Sequence, residues 1–345
     1  MAWPLIKYLP ERTNFKFISF AGLMAFVSCA LILVSFASMF TGGLRHNPIE
    51  LYQSADGSPL VRVGRVLEQG FNLGIDFKGG TAVLVEAPQP IDVGALRELA
   101  GRLQEGDVQV QETTCRPTDS PPYCAVMRFE STEGGSQTVE ALRAALPGVV
   151  AESRIVSVDV VGAKVSEELF SGGLIALGLA ILLMLIYIWF RFEWQFGLGA
   201  VLGLFHDVIL TLGLFSIFRF EFTLTIIAAL LTVIGYGMND TVVVFDRLRE
   251  NLRKYKRMAL GEVIDLSINE TLSRTIITGV TALMALTGLL ILGGQALSGF
   301  AIAMIFGIIV GTYSSIYVAA PAILIWGVKR GGEGEARTPA PQSAR

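Results

Sequence analysis

Apolar residues in this chain are gathered into long blocks instead of alternating with polar ones. A helix needs about 20 apolar residues to cross a bilayer. Six blocks reach or approach that length, at 18–40, 172–190, 197–218, 223–245, 276–293 and 299–326. The first is too long for the apolar core of a signal peptide and has no convincing cleavage site, so we expect a retained span. The pattern predicts a polytopic α-helical membrane protein with six transmembrane helices.

Between the first two blocks the pattern changes to short alternating elements, which we place in an exported domain over 41–170. Residues 81–161 have the order β-α-β-β-α-β, which is that of a ferredoxin-like α+β domain. The predicted strands are 81–87, 108–114, 124–130 and 154–161, and the predicted helices are 92–103 and 137–146.

Composition supports a membrane protein and excludes several other classes. The chain is 52% hydrophobic and 17% charged, whereas soluble domains are about a quarter charged. A net charge of −3 gives no basis for binding nucleic acid. The three cysteines and two histidines form no CxxC or HExxH motif, so a zinc site is not expected. No GxxxxGK[ST] motif and no nucleophile–base pair is visible, so neither ATP hydrolysis nor another enzyme activity is expected.

Lysine and arginine in the short flanks of the spans predict the orientation. They concentrate in the N-terminal segment 1–17, in the loop 246–275 and just after the sixth span, which places these segments in the cytoplasm. The loop reads as one or two amphipathic helices. The tail 327–345 is rich in Gly, Pro and Ser, which predicts disorder. Residues 171–326 then form a five-helix bundle.

Four ionisable residues lie within or at the ends of the apolar blocks. His206 and Asp207 fall near the middle of the third block, Asp240 near the cytoplasmic end of the fourth, and Arg274 at the start of the fifth. A charge at the bilayer centre costs at least about 2.5–3.5 kcal/mol, so such residues face the bundle interior, a partner or water.

Asp240 has two interpretations. Away from water its carboxyl holds a proton, and beside Arg274 it loses it, so a carboxyl that alternates between the two surroundings can relay protons. Alternatively, Asn239, Asp240 and Thr241 only hydrogen-bond neighbouring helices. The same two interpretations apply to Asp207. Glu270 stands four residues before Arg274 and could pair with it, which would compete with Asp240.

Two further features have no assigned chemistry from spacing alone. Gly79 and Gly80 permit positive φ angles and a tight turn into the strand that begins at Thr81. Cys115 and Cys124 flank the connection RPTDSPPY between two strands that we expect to pair. They could form a disulfide in an oxidising compartment, or remain two free thiols.

Five segments together resemble the SecF family of bacterial protein-export subunits. In chain order they are FNLGIDFKGGT, FHDVILTLG, GYGMNDTVVVFDRLREN, SINETLSRT and ALSGFAIAMIFGIIVGTYSSIYVAAP. The resemblance covers roughly residues 15–328. The position of the large domain after the first of six spans also fits this family.

The resemblance implies one half of an RND-type transporter bundle, with SecD as the other half and a periplasmic ferredoxin-like domain. It implies a multi-pass protein of the bacterial inner membrane, with both termini cytoplasmic, that works with SecD and uses the proton-motive force to promote preprotein export. The implied partners are SecD, the SecYEG channel, YajC, the translocating preprotein and the lipid bilayer, without nucleic acid or a cofactor.

The resemblance also implies roles for residues. It assigns proton conduction to Asp240 and Arg274, and we add Asn239 and Asp207 to the predicted relay. The segment before the exported domain becomes a predicted hinge, composed of Asp76, Gly79, Gly80 and Thr81.

Two other functions use the same features. A stand-alone proton-driven exporter of small molecules, of the RND type, would share the fold and the aspartate. A passive membrane scaffold would use its domain only for docking, and Asp240→Asn would then leave export intact.

Overall fold

The computed structural model describes residues 13–42, 69–103, 108–113, 115, 123–129 and 135–328. The predicted N-terminal segment 1–17 is covered only from residue 13, and the predicted disordered tail lies outside the described residues beyond residue 328. In chain order the elements are α1 (Phe17–Thr41), β1 (Asn72–Leu73), α2 (Ile75–Lys78), β2 (Gly80–Ala87), α3 (Val93–Leu103), β3 (Val108–Thr113), β4 (Tyr123–Phe129), α4 (Gly135–Ala145), β5 (Arg154–Val161), α5 (Ala163–Arg191), α6 (Trp194–Phe218), β6 (Glu221–Phe222), α7 (Leu224–Lys254), α8 (Leu260–Leu292), α9 (Gln295–Ser314) and α10 (Ala320–Trp326).

The exported domain has the predicted ferredoxin-like topology. Its four strands form one antiparallel sheet in the order β3-β4-β2-β5. Alternate residues of the central strands, such as Val83, Val85 and Met127, are fully buried against Leu96 of α3 and Leu142 of α4. Because side chains alternate across a strand, the other sheet face is turned away from these two helices.

The membrane part contains six helices that are long and apolar enough to cross a bilayer, counted over the described residues. The sixth span joins α9 to α10 through a π-helical turn at Ser315–Ala319. Helix α7 lies at the centre, packed on α6, α8 and α9. At the contact between α7 and α9, Gly307 of α9 lies directly against Val233 of α7. A Cβ on Gly307 would be 2.3 Å from Cγ2 of Val233. Small residues thus bring α7 and α9 into close contact.

The outer helices expose large apolar side chains, as lipid-facing helices do. Phe26 on α1 is 72% exposed, and Trp189 and Phe190 at the end of α5 are 76% and 85% exposed. The fold therefore agrees with the predicted class, a six-helix membrane bundle with an α+β domain between its first two helices.

The segment 246–275, predicted as a cytoplasmic loop, continues the two flanking helices. Helix α7 runs to Lys254 and α8 begins at Leu260. Polar contacts hold these extensions together: Arg247 Nε donates to Glu270 Oε2 at 2.6 Å, and Asn251 Nδ2 donates to Ser267 Oγ at 3.0 Å. The predicted amphipathic helices are therefore present, but as continuations of α7 and α8 and not as separate elements of a loop.

Strands β1 and β6 form a short parallel pair that the sequence did not predict. Asn72 is paired with Glu221 and Leu73 with Phe222. The pair joins the segment before the exported domain to the turn between α6 and α7.

Cys115 and Cys124 are joined in a disulfide, with their Cα atoms 5.5 Å apart. Cys124 lies on β4 opposite Thr113 of β3, so the bridge closes the connection between these paired strands. Cys29 of α1 is a free and exposed thiol.

Candidate functional site

Asp240 lies about midway along α7, on the buried side of this helix. Asp240 is only 3% exposed. Among the residues that the structure describes, no hydrogen bond or ion pair within 4.0 Å reaches its carboxylate. A buried carboxylate without a partner is costly when charged. This position therefore favours a carboxyl that carries a proton or has a cation nearby.

Arg274 of α8 supplies that nearby cation. Its guanidinium is close enough to interact electrostatically with Asp240, although no contact within 4.0 Å joins these two described side chains. Arg274 is exposed on the outer face of α8. The two helices thus bring the predicted pair together, with the carboxyl inside this bundle and the guanidinium at its surface.

Glu270 does not pair with Arg274, so the local ion pair that their spacing allowed is not formed between these described residues. Glu270 instead accepts hydrogen bonds from Arg247 at 2.6 Å and from Asn251 at 2.7 Å. Both donors come from α7, which packs directly on α8. A cross-helix contact therefore prevails over the local contact that spacing along one helix suggested.

Asn239 does not point into the bundle with Asp240. It is exposed, and it continues a line of small and polar residues that are all exposed on α7, namely Thr225, Ala228, Thr232 and Gly235. These residues recur every three or four positions, so they share one helix face. We call this line the open stripe of α7.

Asp207 lies in a second buried polar cluster, on α6. It is 6% exposed and accepts a hydrogen bond from Ser314 Oγ at 2.9 Å. His206 Nδ1 lies 3.0 Å from its other oxygen, and the imidazole stacks on Tyr313. No described residue pairs with His206 Nε2, which is buried. Ser314 directly precedes the π-helical turn at Ser315–Ala319, and such turns are frequent at functional sites.

The carboxylate of Asp207 on α6 lies against α7 about one turn before Asp240. A Cβ on Gly237 would lie 3.1 Å from Asp207 Oδ2, and one on Gly311 of α9 would lie 3.5 Å from the same atom. Gly237 precedes Asp240 by three residues, or about one helical turn. The glycines thus leave room for the carboxylate of Asp207 where α6, α7 and α9 meet.

The four predicted hinge residues lie in packed surroundings. Gly79 and Gly80 have φ angles of 75° and 117°, as the predicted turn requires. A Cβ on Gly79 would lie 3.3 Å from both Ala163 Cα and Ser166 Oγ of α5. Thr81 is 1% exposed. Asp76 accepts a hydrogen bond from the backbone N–H of Leu224 at the start of α7. A swing of the domain about this segment would have to break these contacts.

Sequence reasoning missed the partners of these residues. Ser314 and Asp207 are 107 residues apart, and Asp76 is 148 residues from the backbone group it binds. Spacing rules extend only over a few turns of one element. One signal in the sequence could have indicated a contact at this turn. Arg219 is the single basic residue in the short segment between the third and fourth apolar blocks, and it donates hydrogen bonds to the carbonyls of Gln69 and Gly70.

Comparison with known proteins places these features in one family. Residues 141–329 match the family "Protein export membrane protein SecD/SecF, C-terminal", and residues 67–91 match the "SecD/SecF GG Motif". The first match covers the five-helix bundle, and the second covers the predicted hinge.

Curated relatives extend over almost the whole chain. "Protein translocase subunit SecF" of Rhodobacter capsulatus is 42% identical over 338 residues, which are 95% of this chain and 93% of the relative. The SecF protein of Cereibacter sphaeroides is 46% identical over 274 residues, 77% of this chain and 83% of the relative.

Solved structures show the same fold within a longer chain. SecDF of Thermus thermophilus, described as a translocon-associated membrane protein, is 31% identical with a TM-score of 0.72 over 94% of this chain. This chain spans only 40% of that SecDF chain. A second SecDF structure, in a form called super-membrane-facing, has a TM-score of 0.55, covers 91% of this chain and corresponds to 39% of that chain. The family match, the relatives and the fold agree, and this chain belongs to the SecD/SecF family of protein export membrane proteins.

Proposed function

We propose that this chain is a subunit of the Sec protein-translocation machinery that works with SecD and uses the proton-motive force to promote preprotein export. The names of its curated relatives support the translocase role. The single observation that supports proton coupling is the buried carboxyl of Asp240, which has no hydrogen-bond or ion-pair partner among the described residues and lies near the guanidinium of Arg274.

The chemistry follows from the two surroundings that this carboxyl can have. When water and the guanidinium approach it, the carboxylate is stabilised and the proton leaves. When the helices close around it, the charged form becomes costly and a proton binds. Because only one packing suits each form, uptake and release of a proton shift the balance between two arrangements of α7 and α8. We propose that Asp207, which is buried, and Asn239, which is exposed, are further members of the proton path through Asp240.

SecD is the partner that we expect to pack against the open stripe of α7. The stripe combines Thr225, Ala228, Thr232, Gly235 and Asn239, which are small or polar and exposed. Small residues allow helices to approach closely in a membrane, and polar side chains there prefer a protein partner to lipid. The solved SecDF chains, of which this chain spans 40% and 39%, contain the additional length that could cover this face.

The inner membrane is the location that this role requires, with the ferredoxin-like domain in the periplasm. Basic residues crowd the opposite end of the bundle, at Arg247, Arg249, Arg253 and Lys254, as expected for the cytoplasmic side. A disulfide in the exported domain fits an oxidising compartment. In this arrangement the domain meets the preprotein as it leaves the SecYEG channel, with YajC as a further subunit.

Preprotein export into inverted membrane vesicles, with and without an imposed pH gradient, tests the proposal. The gradient should stimulate export by the wild-type subunit. Asp240→Asn keeps the shape of the side chain but cannot ionise, and Arg274→Met removes the guanidinium. Each should lower gradient-stimulated export to the level seen without a gradient.

Asp246→Asn is the matched control, because it makes the same change near the end of the same helix. Asp246 pairs with Arg191 at 2.6 Å, and its side chain is 43% exposed. It should retain gradient-stimulated export. Stimulation that survives both Asp240→Asn and Arg274→Met would reject the proton relay and leave a passive scaffold.

A further inference from the structure

The exported domain and helix α7 are joined by a set of polar contacts that no part of the proton path uses. The contacts come from the segment before the domain, from strand β4 and from the turn between α6 and α7. We call Asp76, Arg128 and Glu221, together with strands β1 and β6, the clasp.

Asp76 caps the first turn of α7 from outside that helix. Its Oδ2 accepts a hydrogen bond from the backbone N–H of Leu224 at 2.8 Å. Thr223, the residue in the N-cap position, makes no side-chain cap of its own. A carboxylate at a helix N-terminus satisfies a free N–H group and interacts favourably with the helix dipole. The start of the helix that carries Asp240 therefore depends on a residue of the segment before the domain.

Arg128 and Glu221 form the second contact. Arg128 lies on β4, on the sheet face opposite α3 and α4. Its guanidinium holds both carboxylate oxygens of Glu221, with Nε 2.9 Å from Oε1 and Nη2 in contact with Oε2. The side chain of Arg128 is only 10% exposed and that of Glu221 28%. A forked, largely desolvated pair of this kind is strong and specific in its geometry.

The strand pair completes the clasp. Besides the pairing of Asn72 with Glu221, the N–H of Gly74 donates to the carbonyl of Phe222 at 2.9 Å. A Cβ on Gly74 would lie 2.8 Å from Oε1 of Glu221, so the lack of a side chain at Gly74 leaves room for that carboxylate. Arg219 donates to the carbonyls of Gln69 and Gly70 at 3.0 and 2.9 Å. These contacts fix the segment before the domain to the end of α6.

The composition of the clasp suits a contact that opens. Polar groups that separate can be satisfied by water, whereas a parted apolar contact exposes surface at a cost that grows with its area. The apolar part of the contact is a cluster of Leu73, Phe77 and Ile227 with Phe71, Phe222 and Leu231. Asp240 lies on the same helix as the capped end, 16 residues or about 24 Å along it at a helical rise of about 1.5 Å per residue.

We propose that the clasp is a latch through which the protonation state of Asp240 controls the position of the exported domain. A shift of α7 along or about its axis withdraws the N–H of Leu224 from Asp76 and turns Glu221 away from Arg128, which releases the domain from α7. Return of α7 closes both contacts again. The latch rests on the proposed function, since it needs a proton-driven movement of α7, and it assigns Asp76, Arg128 and Glu221 as positioning residues.

A reversible cross-link across the clasp distinguishes a latch from a static contact. The double variant Arg128→Cys/Glu221→Cys is made in a Cys29→Ser chain and assembled into vesicles with its partner subunits. A short bis-methanethiosulfonate reagent then closes the clasp. Cross-linking should reduce gradient-stimulated export to the level without a gradient, and reductant should restore it.

The pair Glu86→Cys/Arg154→Cys is the matched control. These residues form an ion pair at 3.0 Å between β2 and β5, within the domain itself. The same reagent should leave export unchanged there. Reductant also opens the Cys115–Cys124 bridge, and this control undergoes the same treatment. Gradient-stimulated export that persists after the clasp is cross-linked would overturn the latch while leaving the proton relay intact.

A second measurement decides the case if the double variant is inactive before cross-linking. The yield of the cross-link, followed as loss of maleimide labelling, should fall when a gradient is imposed, and this fall should disappear with Asp240→Asn. An equal yield with and without the gradient would overturn the latch. Absence of any gradient effect on export by the wild-type chain would instead refute the proposed function, and the latch with it.

Discussion

Substitution of Gly307 by alanine should loosen the contact between α7 and α9. The new Cβ would lie 2.3 and 2.7 Å from the two methyl carbons of Val233 and 3.1 Å from its Cβ. Carbon atoms in contact prefer about 3.5–4.0 Å. Valine has essentially one side-chain rotamer in a helix, so it cannot turn away. The helices must separate, and such overpacking costs about 1–3 kcal/mol.

Reversible unfolding of the purified chain in mixed micelles of increasing SDS content, followed by far-UV circular dichroism, measures this cost. Val233→Ala removes the obstructing methyl groups. The double variant should therefore lose less stability than the sum of the single variants, by at least about 1 kcal/mol.

Gly288→Ala is the control, because nothing lies within 4 Å of its new Cβ on α8. It should change stability by less than about 0.5 kcal/mol. Equal stability of Gly307→Ala and the wild type, or strict additivity with Val233→Ala, would refute the packing argument.

Two further changes test other contacts by the same unfolding measurement. Glu270→Gln removes the charge from the ion pair with Arg247, so it should cost about 0.5–1 kcal/mol. Glu98→Gln is the control, because the ion pair of Glu98 with Arg102 on α3 is solvated, and it should cost nothing measurable. Equal effects of the two changes would contradict this ranking. Replacement of both Cys115 and Cys124 by serine should lower the stability of the exported domain by about 2–3 kcal/mol, seen as faster proteolysis within the domain, and unchanged proteolysis would show that the bridge adds nothing.

Hydrophobic periodicity predicted the parts of this fold that depend on burial. The strands and helices of the exported domain follow from alternation, since residues such as Val83, Val85 and Met127 must all face one core. The six spans follow from the length of the apolar blocks. Helix ends were less predictable, because α7 and α8 continue into water as amphipathic extensions held by contacts such as Arg247 with Glu270.

The candidate site was predictable as residues but not as an arrangement. Charge inside an apolar block identified Asp207 and Asp240. No pattern along the chain indicated that Ser314 would bind Asp207, that Arg128 would pair with Glu221, or that Glu270 would pair with Arg247. These contacts depend on which helices and strands become neighbours, and one-dimensional spacing holds no information about that.

The cap that Asp76 places on Leu224 also has a consequence for biosynthesis. Asp76 leaves the ribosome 148 residues before the group it binds, so the segment around it must wait until α6 and α7 have entered the bilayer. An α6–α7 hairpin inserted upside down would carry Glu221 and Leu224 to the wrong side of the membrane. Neither Arg128 nor Asp76 could then reach its partner. The clasp can therefore form only when the α6–α7 hairpin is inserted with Glu221 and Leu224 on the same side of the membrane as the domain.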